Sequence, residues 1–180
     1  SDGSYYWQAR VWDSDDDYGP WSSSRIINID TVAPTNPNSV TSTSHAVQVW
    51  SNDTTIDISF SGASDAASGI YGYSITWDSL STTVPDAARE LNSGANACTS
   101  PGQGDSNSIF FHIRAIDNAL NGATDAAHLG PFYIDSTAPK NPTIASSTHT
   151  ASTWTNVTVA EVNWTGTDAS ISGLNGYSFL

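Results

Sequence analysis

The chain has few basic residues, and this scarcity excludes several classes of partner. Its 180 residues include only 5 lysines and arginines against 18 aspartates and glutamates, which gives a formal net charge of −13. Phosphate recognition needs a cationic surface, so neither a nucleic acid nor an anionic membrane surface is an expected partner. No apolar run is long enough to cross a bilayer, so we expect no membrane insertion of this segment.

Cysteine and methionine are almost absent. The one cysteine, Cys98, has no partner for a disulfide within the chain, and its setting in NACTSPG indicates a bystander thiol in a loop. The chain begins with SDGSYYW rather than methionine, so we expect a processed chain or a part of something longer. An acidic, lysine-poor composition rich in serine and threonine favours an extracellular or cell-surface protein over a cytosolic enzyme.

The sequence repeats itself with a period of about 104 to 105 residues. DTVAPTNP at residues 30–37 returns as DSTAPKNP at 135–142, and YYWQARVWD at 5–13 returns as IFFHIRAID at 109–117. Further along, SGIYGYSI matches SGLNGYSF, so that Tyr73 corresponds to Tyr177. Self-similarity at a fixed period is typical of a tandem array.

The repeat divides the chain into three parts. Residues 1–32 are the C-terminal part of one repeat, 33–136 form a complete repeat, and 137–180 are the N-terminal part of the next. The prolines of the Ala-Pro-x-Asn-Pro segments stiffen the chain, so we expect short, semi-rigid linkers between units.

Each repeat has the alternation of a β-protein. Apolar residues recur at every second position in three segments, which predicts half-buried strands with these inward-facing residues: Ile56, Ile58 and Phe60; Tyr73, Ile75 and Trp77; Phe111, Ile113 and Ala115. Turn-forming residues separate the segments at short intervals, as in a β-sandwich. Residues 84–92 are the one stretch predicted to form a helical turn. We also expect Trp7, Trp77 and Trp164 to lie in the core.

Several motifs resemble a known family. GYSITWD at residues 72–78 resembles the third strand of an immunoglobulin-like or fibronectin type III domain, and IFFHIRAID resembles the sixth. The DxxAPxNP junctions and the SGIxGY turn resemble tandem immunoglobulin-like repeats of large bacterial extracellular surface proteins. The resemblance implies an all-β fold of tandem β-sandwich repeats of about 105 residues. It departs from the family at the tyrosine corner, where Tyr5 matches but Ile109 replaces tyrosine in the complete repeat.

A run of aspartates in WDSDDDYGPW raises the question of calcium. Asp13, Asp15 and Asp17 stand at alternate positions, as hard oxygen ligands do in a calcium loop. The alternative is an ordinary hairpin turn, in which aspartate, asparagine and glycine are favoured anyway. The second copy of this segment keeps only the first carboxylate, as Asp117.

The junctions supply a second calcium hypothesis. Asp30 and Asp135 end the last strand of their repeats, while Asp13 and Asp117 end the sixth strand. Calcium held between neighbouring sandwiches would fix the hinge of a rod. Two further aspartates are candidate ligands, Asp65 and Asp168. The alternative is that all these residues cap turns.

Other candidate sites concern carbohydrate. Trp50 and Trp154 occupy equivalent positions outside the strand alternation, where they either pack at a junction or form a sugar-stacking platform. Three Asn-x-Ser/Thr sequons make Asn52, Asn156 and Asn163 candidate glycosylation sites.

No constellation of residues indicates catalysis. The histidines lack zinc-site spacing, and the two glutamates, Glu90 and Glu161, fall in different repeats without a repeated partner. We therefore expect a non-enzymatic repeat segment of a long extracellular filament, stalk or adhesin. Its expected partners are neighbouring copies of itself, and surface glycans are a further candidate. The alternative is a carbohydrate-binding or other ligand-binding accessory module of a secreted protein.

Overall fold

The computed structural model describes residues 1–180 and is all-β, with twelve strands and no helix. The predicted helical turn at residues 84–92 is wrong. This segment bonds to a neighbouring strand instead of to itself: the Glu90 N–H donates to the Tyr73 carbonyl at 3.0 Å, and the Glu90 carboxylate accepts from the Ile75 N–H at 2.9 Å. The structure contains no helix long and apolar enough to cross a membrane.

The strands are numbered in chain order. They are β1 Gly3–Trp7, β2 Arg25–Ile29, β3 Ser39–Ser42, β4 Trp50–Ser51, β5 Asp57–Ser61, β6 Ile70–Asp78, β7 Leu91–Asn92, β8 Ala97–Thr99, β9 Ser106–Asp117, β10 Ala127–Ile134, β11 Thr143–Ser146 and β12 Val162–Thr165.

Two sheets form the centre of the molecule. One has three strands in the order β3-β5-β8, and the other has five in the order β4-β10-β9-β6-β7. Neighbours are antiparallel except β4 and β10, which are parallel. The remaining strands form two small sheets, β1-β2 and β11-β12, near the two ends of the chain.

The core lies between the two larger sheets. Its ten buried residues come from both sheets, and they are Ile56, Ile58, Phe60, Tyr73, Ile109, Phe111, Ile113, Ala115, Phe132 and Ile134. The alternation predicted for β5 and β9 is confirmed, because the predicted inward-facing residues Ile58 and Phe60 of β5 and Phe111, Ile113 and Ala115 of β9 are all buried in this cluster. All ten residues fall within the segment 33–136.

The three tryptophans expected in the core have different outcomes. Trp77 is half-buried and packs on Phe111, with ring centroids 4.8 Å apart. Trp7 and Trp164 are exposed, so the expectation for them is wrong in this chain. Each lies on a two-stranded sheet that no second sheet covers.

A test of the core is the substitution Phe132→Ala. Phe132 is fully buried between the sheets, so its truncation removes apolar contacts and leaves a cavity. We expect the free energy of unfolding to fall by about 3–5 kcal/mol. Urea unfolding followed by tryptophan fluorescence measures this loss. The exposed Leu80→Ala is the control, and an equal loss in both variants would contradict the assignment of the core.

Candidate functional site

The linker at residues 30–37, here called the first junction, is bound onto the repeat that follows it. Pro34 and Pro37 are buried. Between them the Asn36 carboxamide accepts from the buried Ala115 N–H and donates to the Asp125 carbonyl, both at 2.9 Å. Strand β9 therefore holds the linker by a specific side chain, which fixes the direction in which the chain enters the repeat.

The loops of the complete repeat also hold the end of the preceding one. The Asn121 carboxamide donates to the Asp30 carbonyl at 3.1 Å and to the Asp117 carboxylate at 2.7 Å. In the other direction, the Asp30 carboxylate accepts from the Ser68 N–H at 3.0 Å. Hydrogen bonds thus cross the junction from both sides.

Three carboxylates converge at this junction. Asp30 directly follows β2, Asp65 lies in the loop between β5 and β6, and Asp117 is the last residue of β9. One carboxylate oxygen from each lies within 4.8 Å of the others. Asp117 is fully buried, yet no lysine or arginine pairs with any of the three. Like charges this close repel one another, so neighbouring hydrogen-bond dipoles must stabilise the three carboxylates.

Backbone N–H groups supply those dipoles. The Asp65 Oδ1 atom accepts from the N–H groups of Ser68 and Gly69, each at 2.8 Å, and Gly69 adopts a φ of 78° that favours glycine. Hydrogen bonds from Ser68, and then from the Val32 N–H, lower the pKa of Asp30. Hydrogen bonds to a carboxylate stabilise its charged form, so this carboxylate stays ionised at neutral pH.

The chemistry of this donor set suits a hard cation. One oxygen of each of the three carboxylates lies within 4.8 Å of the others, and the Asp65 Oδ2 atom accepts no hydrogen bond from the protein. Calcium takes six to eight oxygen ligands, and carboxylates are its usual protein donors. The residues present therefore fit part of a calcium shell. The junction aspartates Asp30 and Asp117 named from the sequence are brought together, with Asp65 as the third.

The aspartate run of the first hairpin has a different setting. The Asp13 Oδ1 atom accepts from the N–H groups of Asp15 and Asp17 at 3.1 and 2.9 Å, within an exposed turn. The equivalent Asp117 accepts from the Asn121 N–H in the same way, at 2.8 Å. This geometry favours the turn interpretation, and Asp13, Asp15 and Asp17 do not join a cluster of three ligands. Calcium binding there stays a prediction.

The second junction, residues 135–142, repeats part of the first. The Asp135 carboxylate accepts from the Ser172 N–H at 3.0 Å, as Asp30 does from the equivalent Ser68. Hydrogen bonds from Ser170 and then Ser172 lower the pKa of Asp135 to about 2. Asp168 shares the Ser170 hydroxyl with Asp135, so two carboxylates meet here.

The carbohydrate candidates lie on the surface. Trp50 packs against Tyr133, with ring centroids 5.0 Å apart, whereas the equivalent Trp154 is fully exposed without an aromatic neighbour. Asn52, Asn156 and Asn163 are all exposed. Sugar binding and glycosylation at these positions stay predictions.

A histidine pair escaped the sequence analysis. His112 is fully buried on β9, where its Nδ1 atom lies 2.6 Å from Nδ1 of His128 on β10. Its Nε2 atom lies 3.1 Å from the Asp78 carboxylate on β6. The sequence alone could not predict this contact, because His112 lies beside His128 only in the observed register of β9 and β10.

Comparison with known proteins identifies no relative of this chain: no protein-family model, no curated protein and no solved structure matches it. The resemblance to tandem immunoglobulin-like repeats therefore stays a prediction. What the chain does must be inferred from its own repeat and its own junctions.

Calcium is expected to stabilise the chain through the first junction. A cation bound only to the folded state raises the free energy of unfolding by about 2.7 kcal/mol at a concentration 100 times its dissociation constant. We expect a higher melting temperature in calcium than in a chelator, measured by differential scanning calorimetry.

Matched variants localise the effect. Asp65→Asn and Asp117→Asn remove one ligand charge each and should abolish the calcium-dependent shift, whereas Asp15→Asn in the first hairpin should leave it intact. Equal melting temperatures in calcium and chelator would contradict the metal interpretation.

The histidine pair is expected to make stability depend on pH. Burial, and then electrostatic repulsion from the neighbouring imidazole of His112, lower the pKa of His128, while Asp125 and Asp78 oppose this shift. Between the folded-state pKa and the ordinary value of about 6.5, the unfolded chain binds more protons. The free energy of unfolding should therefore fall as the pH drops below about 6.5, which urea unfolding measured across this range would detect. The variant His128→Gln should reduce this slope, and an unchanged slope would contradict the assignment.

Proposed function

We propose that the chain is a non-enzymatic structural segment of a long extracellular filament, stalk or adhesin. In this proposal, tandem immunoglobulin-like or fibronectin type III-like sandwiches form a semi-rigid rod on or outside the cell, in contact with neighbouring copies and with surface glycans. The observation that carries it is the position of the two junctions at opposite ends of one strand, β9.

The two ends of β9 mark where the chain enters and leaves the complete repeat. At one end, Asp117 lies beside Asp30 of the first junction. At the other, Asp105 accepts from the Ser136 N–H of the second junction at 2.8 Å. A strand of 12 residues is about 40 Å long at about 3.3 Å per residue. Successive repeats would therefore extend the array rather than fold back on it.

The order of strands supports the sandwich type. If the two-residue β4 is left out, the complete repeat has seven strands, β3 and β5 to β10. The first, second and fifth of these, β3, β5 and β8, form one sheet. The third, sixth and last strands form the other as β6, β9 and β10, with the short β7 beside β6. Apart from the parallel pair β4 and β10, both sheets are antiparallel, and this division of the strands supports the proposal because an immunoglobulin-like fold would have a similar one. The motifs that resemble a third and a sixth strand are β6 and β9.

The junction contacts support a semi-rigid rod. A linker without contacts would leave the repeats free to move relative to one another. Here Asn36 fastens the linker to β9 and to the Asp125 loop, while Asn121 fastens the same repeat to the Asp30 carbonyl. The buried prolines add stiffness to the segment between these anchors.

A carbohydrate-binding module is the second candidate. The observation that favours it is the full exposure of Trp154, since exposed aromatic rings stack on sugars. The equivalent Trp50 packs against Tyr133, however, so the two positions do not form a uniform platform. Oligosaccharide binding that is lost in Trp154→Ala would favour this candidate over the rod.

Rigidity at the first junction is measurable by spin labels on either side of it. In a Cys98→Ser background, labels at Tyr6→Cys and Leu80→Cys report the distance between the first hairpin and the complete repeat. We expect a narrow distribution in dilute protein by double electron–electron resonance. It should broaden in the double variant Asn36→Ala and Asn121→Ala, because the hydrogen bonds across the linker are lost.

The matched control is Asn118→Ala. Its carboxamide donates to the Ser68 and Gly69 carbonyls within the repeat, at 2.9 and 3.1 Å. It should leave the distribution narrow. A broad distribution in the unmodified junction would overturn the semi-rigid rod.

A further inference from the structure

We propose that His112 and His128 form a binding site for a copper(II) ion, in which the Nδ1 atoms of both imidazoles coordinate the metal and water fills its remaining positions. The site lies on β9 and β10, on the face of the five-stranded sheet that points away from the core. It goes beyond the proposed rod and does not rest on it.

The two histidines lie directly opposite each other on neighbouring strands. Alternation along β9 turns Phe111 and Ile113 into the core and His112 to the other face of the sheet. In the antiparallel pairing of β9 with β10, the partner of His112 is His128. Side chains at opposite positions project side by side from a sheet, so two imidazoles here can reach one ion.

The contact with Asp78 determines which nitrogen of His112 has a free lone pair. The Asp78 carboxylate is ionised at neutral pH and can only accept hydrogen bonds, so the His112 Nε2 atom carries the proton of this contact, at 3.1 Å. In the neutral imidazole, Nδ1 then holds the lone pair, and Nδ1 is the atom that faces His128. Histidines that bind metals usually have such a carboxylate on their other nitrogen, because it orients the ring and raises its basicity.

The lone pair of His112 faces a second basic nitrogen. The two Nδ1 atoms are 2.6 Å apart and the ring centroids 4.9 Å apart, so the rings meet head-on. Two lone pairs at this distance would repel each other, so a proton on the His128 Nδ1 atom lies between them. A metal ion can replace this proton. The proton leaves Nδ1 for solvent, His128 takes up one from solvent at Nε2, and both Nδ1 lone pairs then bind the ion.

One ligand of the pair is fixed and the other is accessible. His112 is 0% exposed, and the Phe110 ring lies alongside it with an interplanar angle of 19°. His128 is exposed, so its ring can turn until both lone pairs meet at the ion. Because the buried ring is already held in place, little conformational freedom is lost when the metal binds.

The spacing of the two nitrogens favours copper(II). With metal–nitrogen bonds of about 2.0 Å, adjacent ligands of a square-planar ion lie about 2.8 Å apart, and those of a tetrahedral ion about 3.3 Å apart. The observed 2.6 Å is closer to the square-planar value. Copper(II) prefers this geometry and binds imidazole more tightly than the tetrahedral zinc ion does.

The charges around the pair also favour a cation. Burial, and then repulsion from the neighbouring imidazole, lower the pKa of His128, but the negative charges of Asp125 and Asp78 oppose this shift. Arg114 lies on the same face of β9, where it donates to the Ala123 carbonyl at 2.6 Å and forms no ion pair. The two carboxylates are therefore not neutralised by a basic side chain.

Calorimetric titration with copper(II) chloride tests the site. A Cys98→Ser background removes the one thiol that copper(II) could oxidise. In a non-coordinating buffer we expect one tight site per chain, which His128→Gln should abolish. Asp78→Asn should weaken binding about tenfold, because the second contact of His112 loses its charge. Zinc chloride should bind at least tenfold more weakly than copper.

A spectroscopic measurement identifies the ligands. Electron spin echo modulation detects the remote nitrogen of each imidazole bound to copper(II), and it should show two imidazoles on the ion. Glutamine is a suitable replacement for either ligand, because Gln8 stands at the position equivalent to His112 and donates to the Ser22 carbonyl at 3.0 Å.

Controls separate this site from others. His149→Gln removes a histidine of the next repeat, and Asp65→Asn removes a carboxylate of the first junction, so both should bind copper like the parent chain. Melting without metal reports whether each variant is folded.

Four results would overturn the proposal. They are the absence of a tight copper site in the parent chain, binding that survives in folded His128→Gln, fewer than two imidazoles on the ion, and zinc binding as tight as copper binding. Loss of the site in folded His149→Gln or Asp65→Asn would place the ion elsewhere and would likewise overturn it.

Discussion

Strands in water are held together by hydrogen bonds, but an apolar face of a sheet is stable only when a second sheet covers it. This constraint governs every part of the molecule. Between Phe60 on one sheet and Phe111 on the other, the complete repeat satisfies it with fully buried side chains. In the hairpin β1-β2 and in the pair β11-β12 the same pairing pattern forms, yet Trp7 and Trp164 stay exposed.

The first junction adds a second constraint, which is electrostatic. Asp30, Asp65 and Asp117 bring negative charge together where two repeats meet, in a chain that already carries a net charge of −13. The hydrogen bonds of Asn36 and Asn121 oppose this repulsion, since they fasten the linker to one repeat and the end of the preceding repeat to the same loops. In the proposed rod, the geometry of this junction would therefore depend on a balance between amide contacts and charge, and a divalent cation would shift that balance toward rigidity.

Much of this structure could be predicted from the sequence, because the alternation of apolar residues and the repeat are both visible in the order of residues along the chain. The buried faces of β5 and β9 followed from Ile58, Phe60 and Phe111, and the two junctions followed from the Ala-Pro-x-Asn-Pro segments. The meeting of Asp65 with Asp30 and Asp117 could not follow, since it depends on how the loop after β5 folds against the end of β9. The pairing of His112 with His128 likewise required the register of β9 and β10. A single alternation pattern also gave no sign that Trp164 would be exposed, because exposure depends on the opposite sheet.

The parallel pairing of β4 with β10 has a mechanical consequence. The chain enters the repeat before β3 and leaves it from the end of β10. If the chain is part of a rod, as proposed, tension along it would pull the β3–β4 segment and β10 in opposite directions. The bonds that join β4 and its neighbours to β10 include Gln48 N–H to the Pro131 carbonyl at 3.0 Å and Asp135 N–H to the Ser51 carbonyl at 2.9 Å. Because the two strands run parallel, such a pull loads these bonds together, in shear, rather than opening them one after another.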